Sequence, residues 1–523
     1  MDFSAFWTDA GDRTKRKELV SCLLSTFFWG LLAHSVALVT KFNFGDETAY
    51  LFSVGSTVAS GRWFLGVLGW AVRVFFGSPN FSLPLLGGLM ILLLSGVCSS
   101  QMVSLLKIRG GIFRFLLCGL TVTFPVTCSL FFYNFTAPYY LAGLSLTLAG
   151  TTVLCKKRSA RSFCAGVFLM VLGTAVYQGY IAVFLSLLLM RFMEEVSESD
   201  SWTAVDLLKA VAWYCGVCVA MIVLYLLSVK ASTALCGAEL VNYKGMSSMG
   251  SITLPELLQR VKLAFYLFLF PIKSNPEAYL FPYRMIDLYY VCLAGLAGLG
   301  GFVTVSGFKK DFWKGLSLLL AFACFPLAVN FSFVICDPSE VYTLMQAASV
   351  MPFFLLLLLT ERVLMAQERR SVDFTKKCVL AILTLFCVFS LRVDNAVYEK
   401  GAYTQSRIQQ YFTVMVAQIK STPGYTSTTS VAYVGDSYTY GDSTFRQIGG
   451  FTGLPIAPLR YDATPFVIGD SWEKFIDYCC GFAPPKADSA QFAALPKVQA
   501  MPCYPDEGSI RMVEGTVVVK LGK

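Results

Sequence analysis

An adjacent pair of carboxylates, Asp46 and Glu47, follows the first long apolar segment of the chain. A carboxylate can act as a general base by taking the proton of a hydroxyl group whose oxygen attacks an electrophile. The tripeptide Gly61-Arg62-Trp63 follows, and an arginine can hold a phosphate through paired charge-assisted hydrogen bonds. Taken alone, however, the acidic pair is explained more simply as a solvated helix start, and Arg62 as an ordinary interface residue.

Four further candidate cations lie in the long predicted outer loop 230–285, which carries an amphipathic stretch at 257–270: Arg260, Lys262, Lys273 and Arg284. A phosphate that leaves with its negative charge can be stabilised by positioned cations without a metal ion. Taken one at a time, these cations are explained more simply by contact with lipid headgroups. The aromatic residues Trp63, Tyr139 and Tyr140 could stack on a sugar ring, but an interfacial aromatic belt explains them equally well.

Several other chemistries find no support in the sequence. The block 434–441 looks like the nucleophile segment of the GDSL esterases, but the only histidine, His34, lies in the first apolar segment. Ser437 therefore lacks an activating base. Neither a GxGxxG nor a GxxxxGK[ST] phosphate loop is present, and no DxD motif stands in an outer loop. We therefore predict no metal, no cofactor and no nucleotide-sugar donor.

The elements that position these residues are membrane helices. The chain is 56% hydrophobic and only 14% charged, whereas soluble domains carry about a quarter charged residues. Apolar segments long enough to cross a bilayer recur over the first 390 residues, and we predict about eleven spanning helices. Their bounds are about 18–39, 82–105, 111–132, 138–155, 162–176, 180–193, 204–229, 286–307, 315–335, 342–360 and 377–393.

The distribution of lysine and arginine predicts the orientation of these helices. A cytoplasmic N-terminus places the basic clusters around 107–114, 156–161, 309–314 and 362–377 in the cytoplasm, while the opposite turns near 133–138, 177–180 and 336–340 contain no lysine or arginine. This is the bias of the positive-inside rule. Segment 50–80 is interpreted as one or two helices in the outer interface. The net charge of +9 therefore reflects topology, and no nucleic-acid partner is predicted.

The last part of the chain has the composition of a small soluble domain. We predict a membrane domain at 1–393, with outer loops at 40–81 and 230–285, and an extracytoplasmic α/β or α+β domain at 394–523. The pattern indicates helices at about 403–420 and 471–480, a strand at Val431–Val434 and a hairpin that ends near Val519.

The order of these motifs resembles that of the bacterial Gtr II type glucosyltransferases, which are serotype-converting enzymes. The resemblance rests on the acidic pair in the first outer loop, then Tyr50, then Gly61-Arg62-Trp63, and then Tyr177-Gln178 at an outer hairpin. It covers roughly residues 20–395. That family is similar to the wider GT-C glycosyltransferases, which take a sugar from a polyprenyl-phosphate carrier.

The resemblance implies a role for each of these residues. Asp46 would be the catalytic base, and Glu47 would orient the acceptor or tune Asp46. Arg62 would lie near the carrier phosphate, and Tyr177 and Gln178 would line the sugar pocket. Beyond the resemblance, we predict that the four candidate cations of segment 230–285 also lie near the phosphate. We likewise predict that Tyr50, Trp63 and Tyr139 line the sugar or acceptor pocket.

The implied protein is an enzyme of the bacterial inner membrane. It would transfer glucose or a similar hexose from undecaprenyl phosphate to O-antigen or another surface glycan, by an inverting and metal-independent displacement. Its functional partners would be a polyprenyl-phosphate sugar synthase and a small flippase. Two alternatives stay open: a transporter or flippase of lipid-linked sugars, and an O-antigen polymerase or ligase.

Overall fold

The computed structural model describes residues 10–43, 46–55, 57–241, 253–271, 280–282, 284–364, 370–435 and 471–522. Its contacts divide the chain into two compact units. The helical unit comprises Met1–Val39 and Phe52–Asn395, and the C-terminal unit comprises Thr40–Leu51 and Ala396–Lys523. The sequence predicts that all of loop 40–81 belongs to the membrane part, whereas the contacts group residues 40–51 with the C-terminal unit.

In its described residues, the helical unit is built mainly from α-helices. Its helices are α1 (Ala10–Val39), α3 (Trp63–Phe76), α4 (Pro84–Leu105), α5 (Gly111–Thr123), α6 (Pro125–Leu130), α7 (Ala137–Lys156), α8 (Ala160–Val176), α9 (Tyr180–Glu198), α10 (Ala204–Cys236), α11 (Leu254–Leu269), α12 (Met285–Lys310), α13 (Phe312–Val329), α14 (Ser332–Ile335) and α15 (Met351–Leu359). Helix α2 (Asp46–Ala49) belongs to the C-terminal unit, and α16 (Arg370–Ser421) runs from one unit into the other.

Among the described residues, seven helical segments are long and apolar enough to cross a membrane. They are Lys15–Val39, Pro84–Leu105, Ala204–Cys236, Met285–Lys310, Phe312–Val329, Thr343–Val363 and Asp373–Ser421. Shorter apolar helices occur at Trp63–Phe76, Gly111–Thr123 and Ala160–Val176. The chain is thus a polytopic helical membrane protein, as predicted, and the count of about eleven spans stays a prediction.

Local chemistry explains where several helices begin and end. The predicted segment 111–132 is interrupted at Phe124, whose backbone is extended (φ −64°, ψ 139°). Phe124 precedes Pro125, and a residue before proline is pushed out of the helical region. Helix α10 starts with a capping box, in which the side chains of Thr203 and Asp206 each accept from the other's backbone N–H.

The two helices that flank the hairpin at Tyr177-Gln178 are longer than the sequence indicates. We predicted about fifteen residues each for 162–176 and 180–193. Helix α8 has 17 residues, and α9 has 19 because it continues through polar residues to Glu198. Helix α16 likewise runs unbroken for 52 residues, joining the predicted segments 377–393 and 403–420. Residues 394–402 contain no proline, so nothing in them forces the helix to stop.

The C-terminal unit contains a three-stranded sheet with the order β1-β3-β2. Strand β1 (Val431–Val434) is parallel to β3 (Thr516–Lys520), and β2 (Ile510–Val513) is antiparallel to β3. The two-residue turn Glu514-Gly515 has positive φ at both positions, as a tight hairpin requires. Besides α2 and the end of α16, the described residues of this unit form α17 (Ser471–Cys480), α18 (Ser489–Ala493) and α19 (Pro496–Gln499).

Candidate active site

The two adjacent carboxylates begin helix α2, but they have different surroundings. The side chain of Glu47 is 2% exposed and forms an ion pair with Lys41 at 2.9 Å. The Asp46 residue is half-buried, and its carbonyl accepts from the N–H of Tyr50 at 2.9 Å. Glu47 is therefore a buried, paired charge, and Asp46 is the more accessible carboxylate of the two.

The stretch from Lys41 to Tyr50, which we call the acidic segment, is held by residues far away in the sequence. On α16, the Gln405 amide oxygen accepts from the N–H of Asn43, and its nitrogen donates to the carbonyl of Lys41, both at 2.9 Å. On α17, Lys474 donates to the carbonyl of Ala49 at 3.0 Å. These contacts fix the segment at both ends. Sequence reasoning missed Gln405 and Lys474 because no local pattern marks them.

A cysteine also contacts the acidic segment. The Asn43 side chain donates to the sulfur of Cys479 at 3.7 Å. Burial raises the pKa of the Cys479 thiol to about 11. At neutral pH the sulfur is therefore a protonated thiol, which makes Cys479 a packing residue and a poor nucleophile.

In the helical unit, Arg62 lies at the end of a tight turn. Residues Val58–Ser60 form one turn of 3-10 helix, and Gly61 follows in the left-handed conformation with φ +72°. The N–H of Arg62 then donates to the carbonyl of Thr57 at 2.8 Å, just before α3 begins. Glycine adopts positive φ without steric cost, which explains why Gly precedes this arginine.

The guanidinium of Arg62 contacts three side chains from two neighbouring helix ends. Its Nε donates to the Gln178 amide oxygen at 3.3 Å, and a terminal nitrogen donates to the Tyr140 hydroxyl at 3.1 Å. It also lies 5.2 Å from the ring centroid of Tyr177. A guanidinium over an aromatic face is stabilised by the ring quadrupole.

The turn that precedes Arg62 is hydrogen-bonded to Gln178 and Tyr225. The nitrogen of the Gln178 amide donates to the carbonyl of Ser60 and to the hydroxyl of Tyr225, each at 2.9 Å. The Tyr225 hydroxyl donates to the carbonyl of Gly61 at 3.2 Å. We call the whole set the Arg62 cluster: Ser60, Gly61, Arg62, Tyr140, Tyr177, Gln178 and Tyr225.

The structure thus brings together three of the predicted site residues, namely Arg62, Tyr177 and Gln178. Tyr140, a candidate for stacking on a sugar ring, lies in the same cluster. Trp63 follows Arg62, but its indole N–H donates to Ser228 on α10 at 3.0 Å. Tyr139 donates to the carbonyl of Pro79. Tyr50 lies at the end of the acidic segment.

Tyr225 was not predicted to belong to the site. It lies in an apolar helix of 33 residues, on a buried stripe with Val217, Met221 and Val229, which looks like packing in the sequence. Tyr177 and Tyr140 are 2% and 6% exposed, so their rings pack mainly against other members of the cluster.

The four predicted cations of segment 230–285 have varied surroundings. Arg260 is 8% exposed, donates to the carbonyl of Cys336 at 2.8 Å and pairs with Glu256 at 2.6 Å. Lys262 is exposed on α11. Arg284 is 81% exposed and pairs with Asp287. Lys273 and Ser437 lie outside the described residues. The described contacts of Arg260 and Arg284 do not reach the Arg62 cluster, and the role of all four cations stays a prediction.

Within the part of the chain that the structure describes, no group of three His, Cys, Asp or Glu side chains could hold a metal ion. His34 is fully buried in α1, where it contacts the carbonyl of Val122 at 2.8 Å and stacks on Phe131.

A family model described as glucosyl transferase GtrII matches residues 36–353 of the chain. The match covers more than half of the 523 residues. It includes the acidic segment and every member of the Arg62 cluster. No curated protein and no solved structure matches the chain.

Proposed function

Because this chain belongs to the glucosyl transferase GtrII family and is a membrane glycosyltransferase, we propose that it moves glucose or a similar hexose from polyprenyl phosphate to a glycan outside the cytoplasmic membrane. The donor would be undecaprenyl-phosphate glucose, and the acceptor would be O-antigen or another surface polysaccharide. A polyprenyl-phosphate sugar synthase and a small flippase would supply the donor.

Asp46 is proposed as the general base. It takes the proton of the acceptor hydroxyl while that oxygen forms a bond to the anomeric carbon of the donor. The bond from this carbon to the carrier phosphate breaks on the opposite face, and the phosphate leaves with the electron pair. The configuration is therefore inverted, and the displacement requires no metal.

The clamped acidic segment is the observation that carries this proposal. A general base must be held in one position and must still be reached by the acceptor. The contacts of Gln405 and Lys474 with the backbone supply the first condition, and the partial exposure of Asp46 supports the second. Glu47, 2% exposed and paired with Lys41, is better suited to hold the segment than to exchange a proton with substrate.

Arg62 is proposed to bind the phosphate of the donor. Its guanidinium is oriented by a glutamine amide and two tyrosines, and a pre-oriented guanidinium suits a phosphate because two of its N–H groups can donate side by side. The charge that develops on the leaving phosphate is then stabilised where it forms.

The test is transfer by the purified full-length protein with polyprenyl-phosphate glucose and a glycan acceptor. We expect Asp46→Asn to lower transfer by about 10²-fold or more, with an unchanged yield and thermal unfolding profile. Glu340→Gln removes an exposed carboxylate from a different predicted outer turn and is expected to retain activity. Full transfer by a normally folded Asp46→Asn protein would show that Asp46 is not the base. Movement of lipid-linked sugar between leaflets without transfer would favour a transporter instead.

A further inference from the structure

We propose that Gln178 and Tyr225 are positioning residues that set the orientation of Arg62 toward the donor phosphate. This inference rests on the proposed function of Arg62 as the phosphate ligand. It gives Gln178 a role different from lining the sugar pocket, and it adds Tyr225, a residue of the long helix α10.

The local backbone does little to orient Arg62. The turn before it is a single 3-10 turn closed by Gly61 in a left-handed conformation. Arg62 itself has intermediate backbone angles (φ −97°, ψ 47°), and its side chain does not cap α3. Such a short turn is held chiefly by tertiary contacts. The direction of the guanidinium therefore depends on what contacts residues 60–62.

Gln178 contacts both the turn and the guanidinium. Its amide nitrogen donates to the carbonyl of Ser60 at 2.9 Å, and its oxygen accepts from Arg62 Nε at 3.3 Å. Because a carbonyl can only accept, the amide nitrogen must face Ser60, and the oxygen is left for Arg62. One planar side chain thereby sets the angle between the backbone turn and the arginine.

Tyr225 connects this arrangement to a packed helix. Its hydroxyl accepts from the Gln178 nitrogen and donates its single proton to the carbonyl of Gly61. The ring is 5% exposed and lies on the buried stripe of α10 with Met221 and Val229. Packing of the ring therefore fixes the hydroxyl, and the hydroxyl holds Gln178 and Gly61 in place. Tyr225 acts on Arg62 through these two residues.

A positioning role has a kinetic signature that a structural role lacks. If Arg62 is misdirected, binding of the donor phosphate weakens, while the base and the acceptor are unaffected. The donor KM then rises, and kcat falls as well because the developing charge on the phosphate is less well stabilised. A variant that only destabilises the fold reduces the amount of active protein, which lowers the apparent kcat and leaves the donor KM unchanged.

The experiment compares Tyr225→Phe with Tyr214→Phe in the purified full-length protein. Both tyrosines lie on α10, but the hydroxyl of Tyr214 donates to Glu195 at 3.4 Å and not to the cluster. We expect Tyr225→Phe to raise the KM for polyprenyl-phosphate glucose about tenfold through the loss of two hydrogen bonds. Its acceptor KM should not change, and Tyr214→Phe should match the unmodified protein.

Two further variants keep the inference separate from the proposed function. Gln178→Glu places a carboxylate against Arg62, so it should raise the donor KM even if Tyr225→Phe does not fold. Arg62→Ala tests the phosphate ligand directly. An unchanged donor KM for Arg62→Ala contradicts the proposed role of Arg62. If Arg62→Ala raises the donor KM but Tyr225→Phe and Gln178→Glu do not, the positioning role alone is wrong.

Discussion

Asp46 and Glu47 show how strongly the surroundings of a side chain decide its use. A carboxylate that is removed from water requires a partner of opposite charge, and Glu47 has one in Lys41 at 2.9 Å. The side chain of Lys41 remains 31% exposed, so solvent weakens this ion pair. We therefore assign Glu47 chiefly to holding the acidic segment in place.

This assignment predicts a measurable coupling between the two residues. Glu47→Gln and Lys41→Met should each lower the thermal unfolding midpoint, and the double variant should lower it less than the sum of the two. The expected coupling is about 1 kcal/mol, since Lys41 is partly screened. Transfer activity should fall less for Glu47→Gln than for Asp46→Asn.

The control for this pair is Lys497→Met. Lys497 pairs with Glu514 at 2.8 Å, but both side chains are more than half exposed, and exposed pairs contribute little. Additive effects of the Glu47 and Lys41 variants would show that their contact does not stabilise the fold.

At the scale of elements, several basic residues stabilise the ends of helices to which they do not belong. The last carbonyls of a helix lack partners within the helix, and a cation there is favourable. Four basic side chains each donate to two backbone carbonyls at such an end. They are Lys314 (to Ser197 and Ser199), Arg362 (to Leu106 and Lys107), Arg260 (to Val334 and Cys336) and Lys520 (to Gln499 and Met501). Arg260 is thus engaged within the fold, and its proposed contact with phosphate has less support than that of Arg62.

An acidic residue acts in the complementary way at a helix start. The Glu361 carboxylate accepts from the N–H groups of Arg109 and Gly110 at 3.0 and 2.6 Å, immediately before α5. Negative charge at a helix N-terminus is favourable. Glu361 and Arg362 are neighbours in a π-helical turn, so one dipeptide stabilises the start of α5 and the end of α4.

Helices α7 and α8 approach so closely that glycine is required between them. A Cβ atom added to Gly173 would clash with the Thr147 hydroxyl and would lie 2.9 Å from the carbonyl of Gly143. Close approach through small residues is common between membrane helices. Because α8 leads directly into Tyr177 and Gln178, this packing positions part of the Arg62 cluster.

We predict that Gly173→Ala destabilises the protein by about 1–3 kcal/mol through overpacking and raises the donor KM. The measurements are the thermal unfolding midpoint in detergent and transfer kinetics. Gly298→Ala on α12 is the matched control, because a Cβ there meets no described atom within 4 Å. If both variants behave alike, the α7–α8 contact does not limit the site.

At the scale of the whole molecule, the acidic segment belongs by its contacts to the C-terminal unit. It follows α1 of the helical unit, and the chain returns to that unit at Phe52. The C-terminal unit therefore has a direct part in holding Asp46, through Gln405 and Lys474.

A cross-link tests this grouping. Asn43→Cys places a thiol beside Cys479, because the Asn43 side-chain nitrogen lies 3.7 Å from that sulfur. We expect mild oxidation to form an intramolecular disulfide between the two positions, detected by mass spectrometry of linked peptides. Burial raises the pKa of Cys479 to about 11, and its reactive thiolate fraction increases about tenfold per pH unit below that value. The link should therefore form faster at pH 9 than at pH 7.

The control combines Asn43→Cys with Cys479→Ala, which should abolish this link. Absence of the linked peptide at both pH values in folded Asn43→Cys protein would contradict the docking of the acidic segment on α17.

The sequence by itself determined the class of the protein and provided the residues that are proposed for its site. The length of an apolar segment and the lysine and arginine content of its flanking loops are local properties of the chain. They can be read locally because a spanning helix satisfies its backbone hydrogen bonds within itself. The same locality allowed Asp46, Arg62 and Gln178 to be selected from short motifs. The tertiary structure decided which of these residues meet and what holds them. Tyr225 is 164 residues from Gly61, and Gln405 is 362 residues from Asn43. Hydrogen bonds over such separations follow from the packing of helices, and a single sequence carries no local signal for them.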